Sequence, residues 1–316
     1  MNEKYEILEE TWKADGHTLH RIRAKKAFGD VSEGDLGGWI EKEDNLSSEG
    51  LAWVFGDAKV YGNARVYGHA EVCSNAKVFG NAEVYGNARV YGHAEVCSNV
   101  MIYGNAEVYD DALVCDNAKV YGNAKVYGNA MVYGNARIFD DAMVYDDARV
   151  FGDAQVYGNA RIFDDAKVHG NARVCGDAMV YGHAKVYNDA RVFDNAKVYS
   201  GARVFDKARV YDHASVGGNA EICGDAKVCG NAQICGDAKV HDIADYMVFK
   251  NSWSSGRWFT YTRSNRMWCV GCFLGTGEEL IKKAYADSDS SGKCYEATVR
   301  AAEAIEEVTK GQKADK

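Results

Sequence analysis

From Val54 to Asp245 the chain repeats one six-residue word thirty-two times without a gap. Its plainest form is Val-Tyr-Gly-Asn-Ala-Arg, at Val84–Arg89. The first position is Val or Ile in every copy, and the fifth is Ala in every copy except Val100. A period this strict means a repeat architecture and limits the fold before any other property does.

Read from its fifth position, the word is Ala-Arg-Val-Tyr followed by Gly-Asn. Side chains alternate faces along a strand, so Ala and Val point one way and Arg and Tyr the other. Gly, Asn and Asp tolerate positive φ and supply a corner. Each hexad therefore reads as a four-residue strand and a two-residue bend. A meander of tight hairpins would leave a very large sheet with a bare Val/Ala face that the rest of the chain is too small to cover. A coil of three hexads buries that face inside a narrow triangular interior and pairs each coil with the next. The expected fold is mainly β: a parallel β-helix of about ten to eleven coils, roughly 50 Å long, with a small N-terminal cap and a C-terminal α+β domain.

Proline is absent from all 316 residues, where average usage predicts about sixteen. A coil whose N–H groups all serve the ladder accounts for this, since Pro has no N–H.

The domain reading places a cap at 1–45, the repeat at 46–245, an α+β cap domain at 246–310 and a disordered polar tail at 311–316. Within the third region, strands are expected near Asp245–Lys250, Arg257–Thr262 and Met267–Leu274. Helices are expected near Gly277–Ala286 and Ala297–Thr309. No apolar run is long enough to span a membrane, and the first residues lack signal-peptide character. Ten cysteines without an export signal point to free thiols in a reducing cytosol.

The repeat resembles the hexapeptide-repeat left-handed parallel β-helix of bacterial acyltransferases, over residues 54–245. Left-handedness is what that resemblance implies. Two further segments extend it: Arg-Ile-Arg-Ala-Lys-Lys-Ala-Phe-Gly-Asp-Val with Gly-Asp-Leu-Gly-Gly-Trp-Ile-Glu between Arg21 and Ser47, and Cys-Val-Gly-Cys-Phe-Leu-Gly-Thr-Gly-Glu-Glu-Leu from Cys269 to Leu280. With these, nearly the whole chain resembles a family carried by phages and prophages, often labelled transferases on the repeat alone. The resemblance implies the cytosol of a bacterial host as location and implies no secure activity.

Acyltransferases of the hexapeptide class bind acyl-CoA between trimer-related rods and use a His general base, usually with a loop breaking the repeat. Here no loop interrupts the hexads. His69, His93, His183 and His213 stand at the fourth, corner position, and no two histidines share a column in adjacent coils. They read as tolerated corner residues. His17 and His20 lie in the N-terminal cap. Cys269-x-x-Cys272, with Cys294, has zinc spacing, but one such pair inside an apolar strand reads as packing, so no metal or cofactor is expected. Seven cysteines hold the outward second position, among them Cys223, Cys229 and Cys235 on three different faces. They read as small apolar fillers.

The second position is Tyr fifteen times and Phe seven, which makes three aromatic ladders that stabilise the stack and expose apolar stripes that suit a partner. The sixth position is basic in eighteen copies. Arg149, Lys167, Lys185 and Arg203 share one column, a candidate seat for an anionic small ligand, and interleaved carboxylates argue against nucleic acid. Trp39, Trp253, Trp258 and Trp268 in the terminal segments are the candidate contact residues, with cap packing as their bland alternative. The expected function is non-catalytic: a phage-type accessory rod that binds a host protein, such as a defence component, or associates with itself. The alternatives are an acyl-CoA-dependent acyltransferase and a self-assembling structural protein.

Overall fold

The computed structural model describes residues 2–313. The chain divides into two compact units, Met1–Gly176 and Asp177–Lys316.

In the first unit, β1 (Tyr5–Ala14) and β2 (His17–Ala24) form an antiparallel hairpin, and β2 pairs antiparallel with β3 (Leu36–Ile40). The hairpin turns at Asp15 and Gly16, both at positive φ (49° and 85°), as a two-residue primed turn requires. β3 then pairs parallel with the repeat, Trp39 against Lys59 and Ile40 against Val60. Leu46 bridges to Val66, and Trp53–Val54 pairs with Glu71–Val72. An irregular first coil thus precedes the regular ones. Its tightness demands glycine at two points: a Cβ on Gly37 would meet Trp53 Cζ2 at 2.6 Å, and one on Gly38 would meet the Ala58 carbonyl oxygen at 2.6 Å.

The repeat then runs through short strands, one every six residues, from Trp53–Val54 to Arg173–Val174. Residues eighteen apart are partners, as Arg89 with Glu107, so three hexads make one coil. The regular strand is two residues long, not four. Ladder bonds nevertheless continue around the corner: Arg89 N donates to Ala106 O at 2.9 Å, Tyr91 N to Val108 O at 3.0 Å and His93 N to Asp110 O at 2.7 Å, while Ala94 N closes the turn on Tyr91 O. The third hexad position carries the positive φ, whether Gly86 (70°) or Asp110 (57°). Proline is therefore shut out by donation at the second, fourth, fifth and sixth positions and by φ at the third. The inward Val, Ile and Ala side chains are fully buried, each branched one contributing about 1.5–3 kcal/mol relative to exposure.

In the second unit the same pattern runs from Met179–Val180 to Lys239–Val240. Over both units the parallel β-solenoid amounts to about eleven coils. A 3-10 turn, Ile243–Asp245, leads into a four-stranded antiparallel sheet of Tyr246–Lys250, Trp258–Thr262, Met267–Val270 and Phe273–Gly275. α1 (Gly277–Asp287) and α2 (Asp289–Lys313) cover it, burying Phe259, Tyr261 and Trp268 against Leu280, Ile281 and Val299. The single strand expected over Met267–Leu274 is a hairpin instead, turned at Gly271 (φ 57°). α2 begins eight residues before the expected start at Ala297. Of the expected polar tail 311–316, residues 311–313 continue α2 and 314–316 lie outside the described residues.

The ladder has a direction, because each coil donates to the next. The first coil is left with carbonyls and the last with N–H groups. Donors meet the former: Lys4 Nζ reaches Ala52 O at 2.6 Å and Ser47 O at 3.1 Å, and Tyr5 Oη reaches Leu46 O at 2.7 Å. Acceptors meet the latter: Gln233 N donates to Thr260 Oγ1, Lys239 N to Ser264 Oγ and His241 N to Asp245 Oδ2, at 2.8, 2.7 and 2.8 Å. The caps are chemically opposite because the ends are.

Candidate functional site

The second hexad position builds the aromatic ladders. Tyr103 and Tyr121 stack with centroids 4.8 Å apart and planes parallel, and Tyr91, Tyr109, Tyr127 and Tyr145 continue in the same way. Successive rings cover each other's faces and leave their edges half-buried. Burial, then the Glu83 carboxylate that accepts from its hydroxyl at 3.0 Å, pushes the Tyr67 phenol up to about 12. Burial, then the neighbouring Tyr127, pushes Tyr109 up to about 12.

The fourth position builds a polar ladder. Lys42 Nζ donates to Asn63 Oδ1, and the amides of Asn63, Asn81, Asn99, Asn117 and Asn135 each donate to the next residue, ending on Asp153 at 2.9 Å. The corner asparagines act as donors and acceptors between coils, while the third position alone takes the positive φ. The eighteen-residue recurrence of Asn was the signal for this.

At several sixth positions, cations and carboxylates of adjacent coils pair: Lys77 with Glu95 at 2.7 Å, Arg89 with Glu71 at 3.0 Å, Lys125 with Glu107 at 3.5 Å. In the predicted basic column, Arg149 stands beside Lys167 in the first unit and Lys185 beside Arg203 in the second. Arg203 pairs with Glu221 at 3.2 Å, and Glu221 also takes Lys239 at 3.5 Å.

Three of the four tryptophans pack into or against the cores of the terminal segments. Trp39 is 4% exposed, between the Arg21 guanidinium (5.0 Å) and Trp12 (5.7 Å). Trp268 is 1% exposed in the C-terminal core, where Trp253 meets Tyr295 edge-on. Trp258 is half-buried, with Lys250 Nζ over its ring at 5.4 Å. The large apolar side chains that are exposed, among the described residues, are Trp12, Leu36, Leu51, Ile243, Leu274, Tyr285, Ile305 and Val308. Seven of these lie outside the hexads, and Ile243 stands in the final one, past the last regular strand.

Cys235 and Cys269 form a disulfide, which corrects the expectation of ten free thiols and removes Cys269 from any zinc set. The spacing rule had compared only cysteines of the solenoid with each other; the partner comes from the C-terminal hairpin. Among the described residues, no three His, Cys, Asp or Glu side chains gather as a metal site. Cys223 Sγ lies 2.8 Å from His241 Nδ1, but burial and then Asp206 raise its pKa, the reverse of an activated thiolate. Cys97 and Cys115, eighteen residues apart, face each other between adjacent coils, and burial, then Cys97, pushes Cys115 up to about 12.

His69, His93, His183 and His213 are exposed at corners. His17 has a partner that spacing could not show: its Nδ1 lies 2.8 Å from Glu41 Oε1, while Glu41 Oε2 accepts from Gly62 N at 2.7 Å. Burial disfavours the Glu41 charge, but the His17 and Gly62 hydrogen bonds and the charges of His17 and Lys42 outweigh it and lower the pKa. His20 Nδ1 lies 3.2 Å from Leu8 O. Among the described residues no helix is long and apolar enough to cross a membrane.

Two segments of the repeat, 124–138 and 154–170, match the family model described as YdcK Beta solenoid repeat. No curated protein matches the chain. In those segments the chain is similar to that solenoid repeat.

Proposed function

We propose that this chain is a non-catalytic binding scaffold, a phage-type accessory protein that occludes a protein of its bacterial host in the cytosol. One observation carries the reading. Along the regular hexads, rings stack on rings, amides bond amides and most acidic sixth positions face a cation, so the repeat covers most of its own apolar surface. The exposed apolar side chains gather instead in the terminal segments, Trp12, Leu36 and Leu51 in the first unit and Leu274, Ile305 and Val308 in the second. Exposed apolar groups concentrated in this way suit protein contacts.

The test is affinity capture from host lysate, then reconstitution with the purified partner and native mass spectrometry. The reading expects one partner at fixed stoichiometry. It also expects Trp12→Ala, or Ile305→Glu with Val308→Glu, to weaken binding at least about tenfold. A reconstituted complex indifferent to both variants would reject it.

An acyl-CoA-dependent acyltransferase is the second reading, favoured by the His17–Glu41 pair, since a carboxylate-oriented imidazole is a general-base arrangement. It expects turnover of acetyl-CoA that His17→Ala abolishes.

A further inference from the structure

Cations at the sixth hexad position meet carboxylates in several adjacent coils, but three successive rungs of one column in the second unit carry cations alone. Arg191, Arg209 and Lys227 stand in register on three successive rungs of one parallel sheet, about 4.8 Å apart as neighbouring strands are. All three are exposed. Lys207, also exposed, holds the corner position between them in place of the usual Asn, Asp or His. These four cations line a groove of about 510 Å³ with two corner carboxylates, Asp189 and Asp225, so the groove carries an excess of two positive charges. No ion pair reaches any of the four cations among the described residues, whereas Arg203 and Lys239 of the same unit share Glu221.

Like charges held this close repel, and the acid that follows them in this column, Asp245, turns its Oδ2 to the backbone N–H groups of His241 and Asp242 instead. A ligand with compact negative charge would do so. Guanidinium forks match phosphate oxygens in pairs, and an ammonium adds a point charge beside them. The patch spans only about 10 Å along the ladder, and the carboxylates of Asp189 and Asp225 flank it. Both carboxylates stand in the corner column, either side of Lys207, so a ligand that also reaches Lys207 must be short enough to fit between them. We infer that Arg191, Lys207, Arg209 and Lys227 bind a compact ligand carrying two or more linked phosphoryl groups. This site is independent of the protein-binding reading above.

Calorimetric titration of the full chain with inorganic tripolyphosphate tests the site, with ATP and a single-stranded oligonucleotide as further arms. The expected result is saturable binding of one tripolyphosphate per chain that weakens as salt rises. Arg191→Gln and Arg209→Gln should each weaken it about tenfold, at unchanged melting temperature. Arg89→Gln, whose partner is Glu71 on another face, should leave it unchanged. ATP binding as tightly as tripolyphosphate supports the site and places the phosphates on a nucleotide; ATP binding much more weakly supports it with free polyphosphate as the source. Absence of saturable tripolyphosphate binding, indifference to both Gln variants, or much tighter binding of the oligonucleotide would overturn the inference.

Discussion

Asn135 Nδ2 donates to Asp153 Oδ1 at 2.9 Å and so ends a ladder of side-chain amides that Lys42 begins. Each asparagine both gives and accepts, so the ladder runs one way; an ammonium, which only donates, stands at its start and a carboxylate, which only accepts, at its end. Asn99→Asp should break it. The new carboxylate could still accept from Asn81 but would face the Asn117 carbonyl oxygen with nothing to donate. The ladder is exposed, so the expected loss is modest, about 1 kcal/mol, read as a lowered melting temperature that Asn99→Ala only partly reproduces. Equal melting of Asn99→Asp and wild type would show that the ladder contributes nothing.

Val144 is fully buried in the solenoid interior. Val144→Asp places a carboxylate where no partner or water can reach it, and the cost should be about 4 kcal/mol or more. The same change at the outward neighbour Met143, which is half-buried, should cost far less. Circular dichroism on heating separates the two; similar melting of both variants would contradict the inward assignment.

Lys4 gives the stability a pH dependence. Burial, then the nearby Lys26 charge, lowers its pKa from the ordinary 10.5 to about 8. Between those values the unfolded chain binds the proton and the folded chain does not, so Lys4 makes stability rise with pH across that window. The ladder tyrosines act in the opposite sense. Their pKa values are raised above 10, Tyr67 and Tyr109 to about 12, so the stability they contribute is complete below pH 10 and lost above it. The thiols of Cys73, Cys97, Cys115 and Cys223, raised above their ordinary 9.0, act in the same sense as the tyrosines from pH 9, so melting temperature should climb from pH 8 towards 9 and then fall. Lys4→Met should flatten the climb and, by leaving the Ala52 and Ser47 carbonyls unmet, lower stability by about 1–3 kcal/mol. A Lys4→Met profile that climbs as steeply as wild type would assign the rise to other groups.

The Cys235–Cys269 bond closes a loop of sequence separation 34, which by the chain-entropy argument stabilises by about 3–4 kcal/mol at most. Reductant, or Cys235→Ser, should lower the melting of the C-terminal sheet and helices and leave the first unit unaffected. Intact-mass measurement before and after alkylation checks that the bond forms at all; ten alkylated thiols in the native protein would refute it.

The fold was legible where the sequence repeats. Val or Ile and Ala at fixed spacing specify an interior, and the eighteen-residue register follows from three hexads per coil. Other features were hidden for physical reasons. Capping rests on single residues without pattern, such as Lys4 at one end and Thr260 at the other, and no periodicity reveals them. The start of α2 was missed because Ser290, Ser291 and Gly292 are poor helix formers; a Cβ at Gly292 would collide with the Tyr285 ring, so close approach of the two helices outweighs propensity. The tryptophans read as contacts are mostly core, while exposed Trp12 lies on β1, where the run from Glu9 to Lys13 is exposed and alternation gave no warning.

The central claim is that the repeat is a rigid support whose ladder satisfies its own backbone, with no segment that opens, and that function resides on its surface and ends. Hydrogen–deuterium exchange within each unit tests it most directly. The ladder N–H groups at the second, fourth and sixth hexad positions should exchange slowly and alike from coil to coil, with faster exchange only outside the hexads. A fast-exchanging segment inside the repeat would reveal a stretch able to open, as an enzyme's lid does, and would contradict the account.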